Sequence, residues 1–218
     1  GCWAAEYGNK LNMSYDDLNK IIQEGKALGT YVYLYTGGEP LVRKADLIRI
    51  CKENPDCLFL TFTNGTLCDD AFADQLKEVG NMILTISIEG NEETTDSRRG
   101  QGTYKATLAA MARLKARGVP FGLSLCYTKN NADIISSDEY ADFLIEQGAI
   151  FAWLFTFVPV GCSSTPELMA TAEQRKKMYD QVRKWRFKEV KPLFMIDFFN
   201  DGEYVGGCVA AGKQYFHI

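Results

Sequence analysis

The chain has 218 residues, 46% of them hydrophobic, enough for one large domain or two small ones with a substantial core. Its 24 basic and 28 acidic residues leave a net charge of −4, which argues against a nucleic-acid binder and against a polybasic membrane-surface protein. No apolar run approaches the roughly 20 residues that a membrane span needs, and the longest, AIFAWLFTFVPV, reads as a buried strand.

In chain order, SYDDLNKIIQEGKALG predicts a helix. Leu18, Ile21, Ile22 and Leu28 share its apolar face, Ser14 and Asp17 resemble a capping box, and Gly29 stops it. TYVYLYTGGEP follows, rich in β-branched and aromatic residues, as a strand. The unit then recurs. Helix ADLIRICKE leads to strand CLFLTFTNG, and DDAFADQLKEVG to NMILTISIEG. TYKATLAAMARLKARG leads to VPFGLSLCYT, and SSDEYADFLIEQG to AIFAWLFTFVPVG. The long helix TAEQRKKMYDQVRKWRFKEV leads to PLFMIDFF. Strands alternating with helices predict right-handed crossovers and a parallel sheet, with every strand apolar enough to be covered on both faces. The expected fold class is α/β: a partial (β/α) TIM-like barrel whose first strand precedes residue 1. A flat doubly wound sheet is the alternative, without a GxGxxG loop to support a dinucleotide version. The basic stretch RKKMYDQVRKWRFK carries Met178, Val182 and Trp185 at helical spacing and reads as a solvated outer helix face.

Seven cysteines (2, 51, 57, 68, 126, 162 and 208) are irregularly spaced, which speaks against a disulfide framework and for a reducing, cytoplasmic setting. The C-x5-C pair at 51 and 57 fits no common metal motif. The single histidine, His217, leaves little room for histidine-based acid–base chemistry.

In parallel α/β folds, sites form at the carboxyl ends of strands. Those ends read Thr36-Gly37-Gly38-Glu39-Pro40, Thr63-Asn64-Gly65, Ser87-Ile88-Glu89-Gly90, Cys126-Tyr127-Thr128 and Pro159-Val160-Gly161-Cys162. Glycines let a ligand approach the backbone. Glu39 can accept from an ammonium, Ser87 and Asn64 can donate to a carboxylate, and Glu89 can accept from ribose hydroxyls. The set suits a zwitterionic, ribose-bearing ligand.

CWAAEYG, YTGGEPL, TNGT and SIEG together resemble the radical S-adenosylmethionine enzymes. The resemblance implies a C-x3-C-x2-C loop whose thiolates hold a 4Fe-4S cluster, with S-adenosylmethionine on the open iron. Cys2 matches the third cysteine of that loop, and GGEP follows it by about 35 residues. The first two cysteines are expected before Gly1. The resemblance implies that Gly37, Gly38, Glu39 and the adjoining Pro40 form the loop for the methionyl ammonium. Ser87 would meet the carboxylate, and Glu89 the ribose. Arg99, ahead of its neighbour Arg98, matches the DxxRG segment and would meet the carboxylate too. Asn64, Cys126 and Val158 would line the adenosyl or substrate side. Reductive cleavage would yield a 5′-deoxyadenosyl radical that abstracts hydrogen from a peptide, protein or small-molecule substrate, with flavodoxin or ferredoxin as electron donor. Residues 1–200 would form the core barrel. GGCVAAGKQYFHI resembles the opening of a SPASM-like cysteine-rich extension over 201–218, with Cys208 as a ligand of an auxiliary iron–sulfur cluster. The chain by itself is expected to be inactive, because one thiolate cannot hold the cluster. Two alternatives are an inactive barrel of this lineage serving as a scaffold, and an iron-free phosphate-binding barrel. The second lacks support, since FVPVGCSS offers no Lys or Arg.

Overall fold

The computed structural model describes residues 12–160 and 165–202. Cys2, Cys162, Cys208 and the whole SPASM-like segment apart from residues 201 and 202 lie outside the described residues. Helix α1 (Tyr15–Ala27) begins at a true capping box: Ser14 accepts from the Asp17 N–H, and the Asp17 carboxylate accepts from Ser14 N–H. Its predicted apolar face needs one correction. Ile22 is buried, but Leu28 is 76% exposed, because the helix ends at Ala27 and Leu28 turns out of the stripe as the C-cap.

The remaining order is β1 (Val32–Tyr35), α2 (Lys44–Glu53), β2 (Leu58–Thr63), α3 (Asp70–Val79), β3 (Met82–Ser87), α4 (Glu92–Arg99) and α5 (Thr103–Arg117). Then come β4 (Phe121–Tyr127), α6 (Ala132–Ile135), α7 (Asp138–Gln147), β5 (Phe151–Thr156), α8 (Ala172–Phe187) and β6 (Phe194–Asp197). All six strands pair parallel in sequence order, β1-β2-β3-β4-β5-β6. This order has no reversal point, so the doubly wound alternative is excluded. Repeated right-handed crossovers then put the helices on one side.

The sheet curls into a half-barrel. Phe62 on β2 and Trp153 on β5 are three strand spacings apart, roughly 14 Å on a flat sheet at about 4.8 Å each. Their rings nevertheless lie 5.4 Å apart between centroids. Across the register, Phe62 opposes Thr85, Thr85 opposes Gly122, and Gly122 opposes Phe151. Small residues on β3 and β4 therefore let rings from β2 and β5 meet over them. A Cβ at Gly122 would fall 2.1 Å from the Phe151 ring, so any side chain there would have to displace that ring. On the opposite face Phe59, Leu84, Ile86, Leu123, Leu125 and Leu154 join Phe72, Leu76, Met111, Leu114, Leu144 and Trp185 of the helices in one buried core. Burial of this apolar area, at about 25 cal/mol per Å², holds the layers together.

Strand coverage also needs correcting. β3 and β4 are buried on both faces, but Val32 and Leu34 on β1 and Phe194 on β6 are 51%, 48% and 64% exposed. These two strands are the sheet edges. The run after β5 is not strand either, and Val158 and Val160 are exposed. The basic stretch on α8 behaves as read: Met178, Val182 and Trp185 are buried, while Lys176, Lys177 and Lys184 pair with Asp180, Asp133 and Asp138. Among the described residues no helix is long and apolar enough to cross a membrane.

Candidate active site

The strand ends converge at the carboxyl rim of the half-barrel, and two carboxylates tie them in pairs. Glu39 stands at the end of β1 as the cap of a short 3-10 turn, Pro40–Arg43, with Pro40 as its first residue. Its Oε1 accepts from Leu41 N–H at 3.0 Å and from the Thr63 hydroxyl at 2.6 Å. Its Oε2 accepts from Asn64 N–H at 2.8 Å. All three donors are neutral, so Glu39 keeps its formal negative charge while it joins β1 to β2. The preceding Gly37 and Gly38 are exposed, Gly37 has φ +117°, and an added Cβ on either would meet nothing within 4 Å among the described residues. That is an open backbone cradle.

Asn64 turns inward on its own loop, its Oδ1 accepting from the Thr66 N–H at 2.9 Å and hydroxyl at 2.6 Å. Gly65 follows with φ +76°, and Asp69 caps α3 by accepting from Phe72 N–H.

Glu89 is the second tie. The residue is fully buried. Oε1 pairs with Arg98 Nη1 at 2.6 Å and with Arg99 Nη2 at 2.5 Å, and accepts from Arg99 Nε at 2.7 Å. Oε2 accepts from Cys126 N–H at 3.2 Å, which joins β3 to β4. The sequence offered Glu89 as an open ribose acceptor, whereas in the fold its carboxylate is enclosed by guanidiniums. Both arginines come from the last turn of α4, a helix absent from the sequence reading. Asn91 caps it, acidic residues occupy its first turn and basic ones its last, as the helix dipole favours.

Ser87 sits two residues before Glu89, on the concave face and nearly buried. Cys126 opposes Phe155 on the same face and is half-buried. Burial pushes its thiol pKa up, with the guanidinium of Arg98 opposing that rise. Val158 stands exposed beyond β5.

Three further residues carry the rim: Thr63, which the sequence placed at its strand end without a role, and Asn131 and Tyr140, which gave no signal in the sequence, because each is a neutral side chain whose value depends on strand adjacency. Thr63 holds Glu39. Asn131, 2% exposed, donates to the Glu89 carbonyl at 3.0 Å and the Cys126 carbonyl at 3.2 Å, and accepts from Thr128 N–H at 2.6 Å. Tyr140 donates from its hydroxyl to the Gly90 carbonyl at 3.2 Å.

Below the rim lies an aromatic floor. Trp153 stacks on Phe155 at 5.7 Å, and Phe155 meets Phe198 at 5.2 Å and Phe62 at 6.2 Å. Every β1–β6 strand residue on this concave face is uncharged. Thr85 Oγ1 and Trp153 Nε1 are buried there without a hydrogen-bond partner among the described residues.

Among the described residues no three of His, Cys, Asp and Glu group to hold a metal ion. Cys51, Cys57, Cys68 and Cys126 are free thiols.

Comparison with known proteins fits this geometry. The AdoMet-dependent heme synthase of Methanosarcina barkeri is 28% identical over 183 residues, covering 82% of this chain and 50% of the relative. The Fe-coproporphyrin III synthase of the same organism is 33% identical over 129 residues, covering 58% of this chain and 32% of the relative. The chain thus spans half or less of these curated relatives. The structure of Streptococcus suis SuiB bound to precursor peptide SuiA superposes with a TM-score of 0.74 at 16% identity, covering 94% of this chain and 47% of SuiB. The family model of the radical SAM superfamily matches residues 1–143, well over half the chain, and the chain belongs to that superfamily.

Proposed function

We propose that the rim binds S-adenosylmethionine and that the full-length protein is a radical SAM enzyme. One observation carries this reading: of the two carboxylate ties, one is held by neutral donors and the other by guanidiniums. The Glu39 side is formally −1, beside the open Gly37–Gly38 backbone. The Glu89 side sets two guanidiniums against its one carboxylate. A zwitterionic amino-acid group is complementary to such a rim, its ammonium toward Glu39 and its carboxylate toward Arg99 and Ser87. The donor set and the glycine cradle fit the cofactor. Asn64, Cys126 and Val158 border the remaining rim toward the adenosyl and substrate sides.

Bound there together with a reduced 4Fe-4S cluster, the cofactor supplies one-electron chemistry ending in hydrogen abstraction from the substrate. Cys2 is the chain's own candidate cluster ligand, and Cys208 a candidate for an auxiliary cluster. The chain's described residues do the rest. Glu39 and the glycine loop orient the ammonium, Arg99 and Ser87 the carboxylate, and the uncharged floor excludes water from the reacting atoms. The substrate presents an apolar portion to Phe62, Trp153, Phe155 and Phe198, and an acceptor to Trp153 Nε1. Heme-type synthases among the relatives and the peptide seen with SuiB support a small-molecule or a peptide substrate respectively. A flavodoxin or ferredoxin would supply the electron.

The test uses the full-length protein reconstituted with iron and sulfide without oxygen, then reduced. Formation of 5′-deoxyadenosine from S-adenosylmethionine is expected. A protein that assembles its cluster yet never cleaves the cofactor is a scaffold, and the enzymatic reading falls.

A further inference from the structure

Glu89 is placed so that none of its polar groups is free. Oε1 meets both guanidiniums and Oε2 accepts from Cys126 N–H. Its own N–H donates to the Thr95 hydroxyl at 3.1 Å, and its carbonyl accepts from Asn131. The residue is fully buried, with a side chain 1% exposed, whereas the side chains of Arg98 and Arg99 keep 23% and 25% of their surface exposed. An enclosed carboxylate of this kind cannot turn toward a sugar hydroxyl without abandoning two ion pairs. What reaches the rim is its partners. Two neighbouring guanidiniums repel each other unless an anion lies between them, and Glu89 is that anion. It fixes the plane of Arg99 through both Nε and Nη2, so that the guanidinium is held in one orientation.

We propose that Glu89 is a positioning residue that aims Arg99 at the carboxylate of the methionyl group, and that it is not a ribose ligand. The inference rests on the S-adenosylmethionine reading above and corrects the role that the sequence suggested for this residue. α4 carries the pair into place and Asp96 secures the turn behind it, accepting from Gly102 N–H at 2.7 Å and Tyr104 N–H at 2.8 Å.

The two roles separate with a pair of probes: S-adenosylmethionine and its decarboxylated form, which keeps the ribose and ammonium but lacks the carboxylate. Affinities are measured by anaerobic calorimetry on the full-length, cluster-reconstituted protein. The unaltered protein is expected to prefer S-adenosylmethionine by about tenfold or more, the scale of one charge-assisted contact. Glu89→Gln should shrink that preference at least about fivefold, through weaker binding of S-adenosylmethionine, with the decarboxylated probe within about twofold of its original affinity. Glu89→Asp should recover part of the preference. Arg99→Gln should shrink the same ratio and keeps the proposal testable if Glu89→Gln fails to fold. A ratio unchanged in these variants, with both affinities falling together, would mean a ribose contact or a merely structural role and would overturn the inference alone. An unaltered protein that binds neither probe would overturn the cofactor reading as well.

Discussion

The two ends of the rim use the same residue type for opposite results. Glu39 is held by one hydroxyl and two backbone N–H groups, so its charge survives. Glu89 is held by two arginines and one N–H, so its charge is compensated. Glu39 is half-buried and Glu89 fully buried. The difference is physically ordered: a carboxylate with no access to water needs charged partners, whereas one at the rim does not. A glutamate at a strand end therefore cannot be given a role from its position alone. Its donors decide whether it offers a negative charge or anchors a positive one.

The largest expected effect is a control that leaves both ends alone. Trp185 on α8 is 1% exposed and donates from Nε1 to Asp138 at 2.7 Å. Trp185→Ala should cost about 3–5 kcal/mol in chemical denaturation. The affinity ratio of the two probes should stay unchanged while the protein is folded, and a changed ratio would mean that the rim is not locally determined. Next, Glu39→Gln removes the negative end and should weaken binding of both probes equally, by about 1.5–3 kcal/mol, the scale of a hydrogen bond to a charged group. That equal loss contrasts with the selective loss at Glu89, and a selective loss at Glu39 would break the comparison. Asn131→Ala strips two carbonyls and Thr128 of their partner and should destabilise by about 1–3 kcal/mol, with its binding effect falling on the carboxylate-bearing probe.

A pH series sharpens the Glu89 side. The backbone N–H groups of Tyr104 and then Gly102 hold the Asp96 carboxyl below the usual carboxylate value. A depressed folded pKa contributes stability that is present above the unfolded value near 3.9 and lost as pH falls through the folded value. Thermal melts from about pH 5 downward should therefore fall less steeply for Asp96→Asn than for the unaltered chain. Parallel curves would remove Asp96 from the account of the α4–α5 turn. The smallest effect is expected at Leu28→Gln, within about 0.5 kcal/mol, because that side chain lies in solvent.

Much of the architecture was legible because helix and strand periodicity alternate strongly. Ser14 and Asp17 form the capping box that the sequence suggested, and Asp69 and the glycines at 80, 118 and 148 cap the helices that the periodicity marks out. Helix α4 was not legible, since EETTDSRR has no apolar stripe; only Thr95 and Asp96 of it are buried. Edge exposure was hidden too. Val32, Leu34 and Phe194 look like core residues, and only the strand order shows that each lies on an outer strand. At the rim, the GGEP loop announced itself through its glycines. The contributions of Thr63, Asn131 and Tyr140 arise between segments 24, 42 and 50 residues apart, a distance at which no local pattern operates.

The central claim is the polarity of the rim, and a crystal structure of the full-length protein with S-adenosylmethionine bound tests it most directly. The account expects the methionyl ammonium against Gly37, Gly38 and Glu39, the carboxylate against Arg99 and Ser87, and Glu89 still enclosed by its two arginines. A methionyl group lying the other way round, or a Glu89 carboxylate turned out onto the ribose, would contradict it.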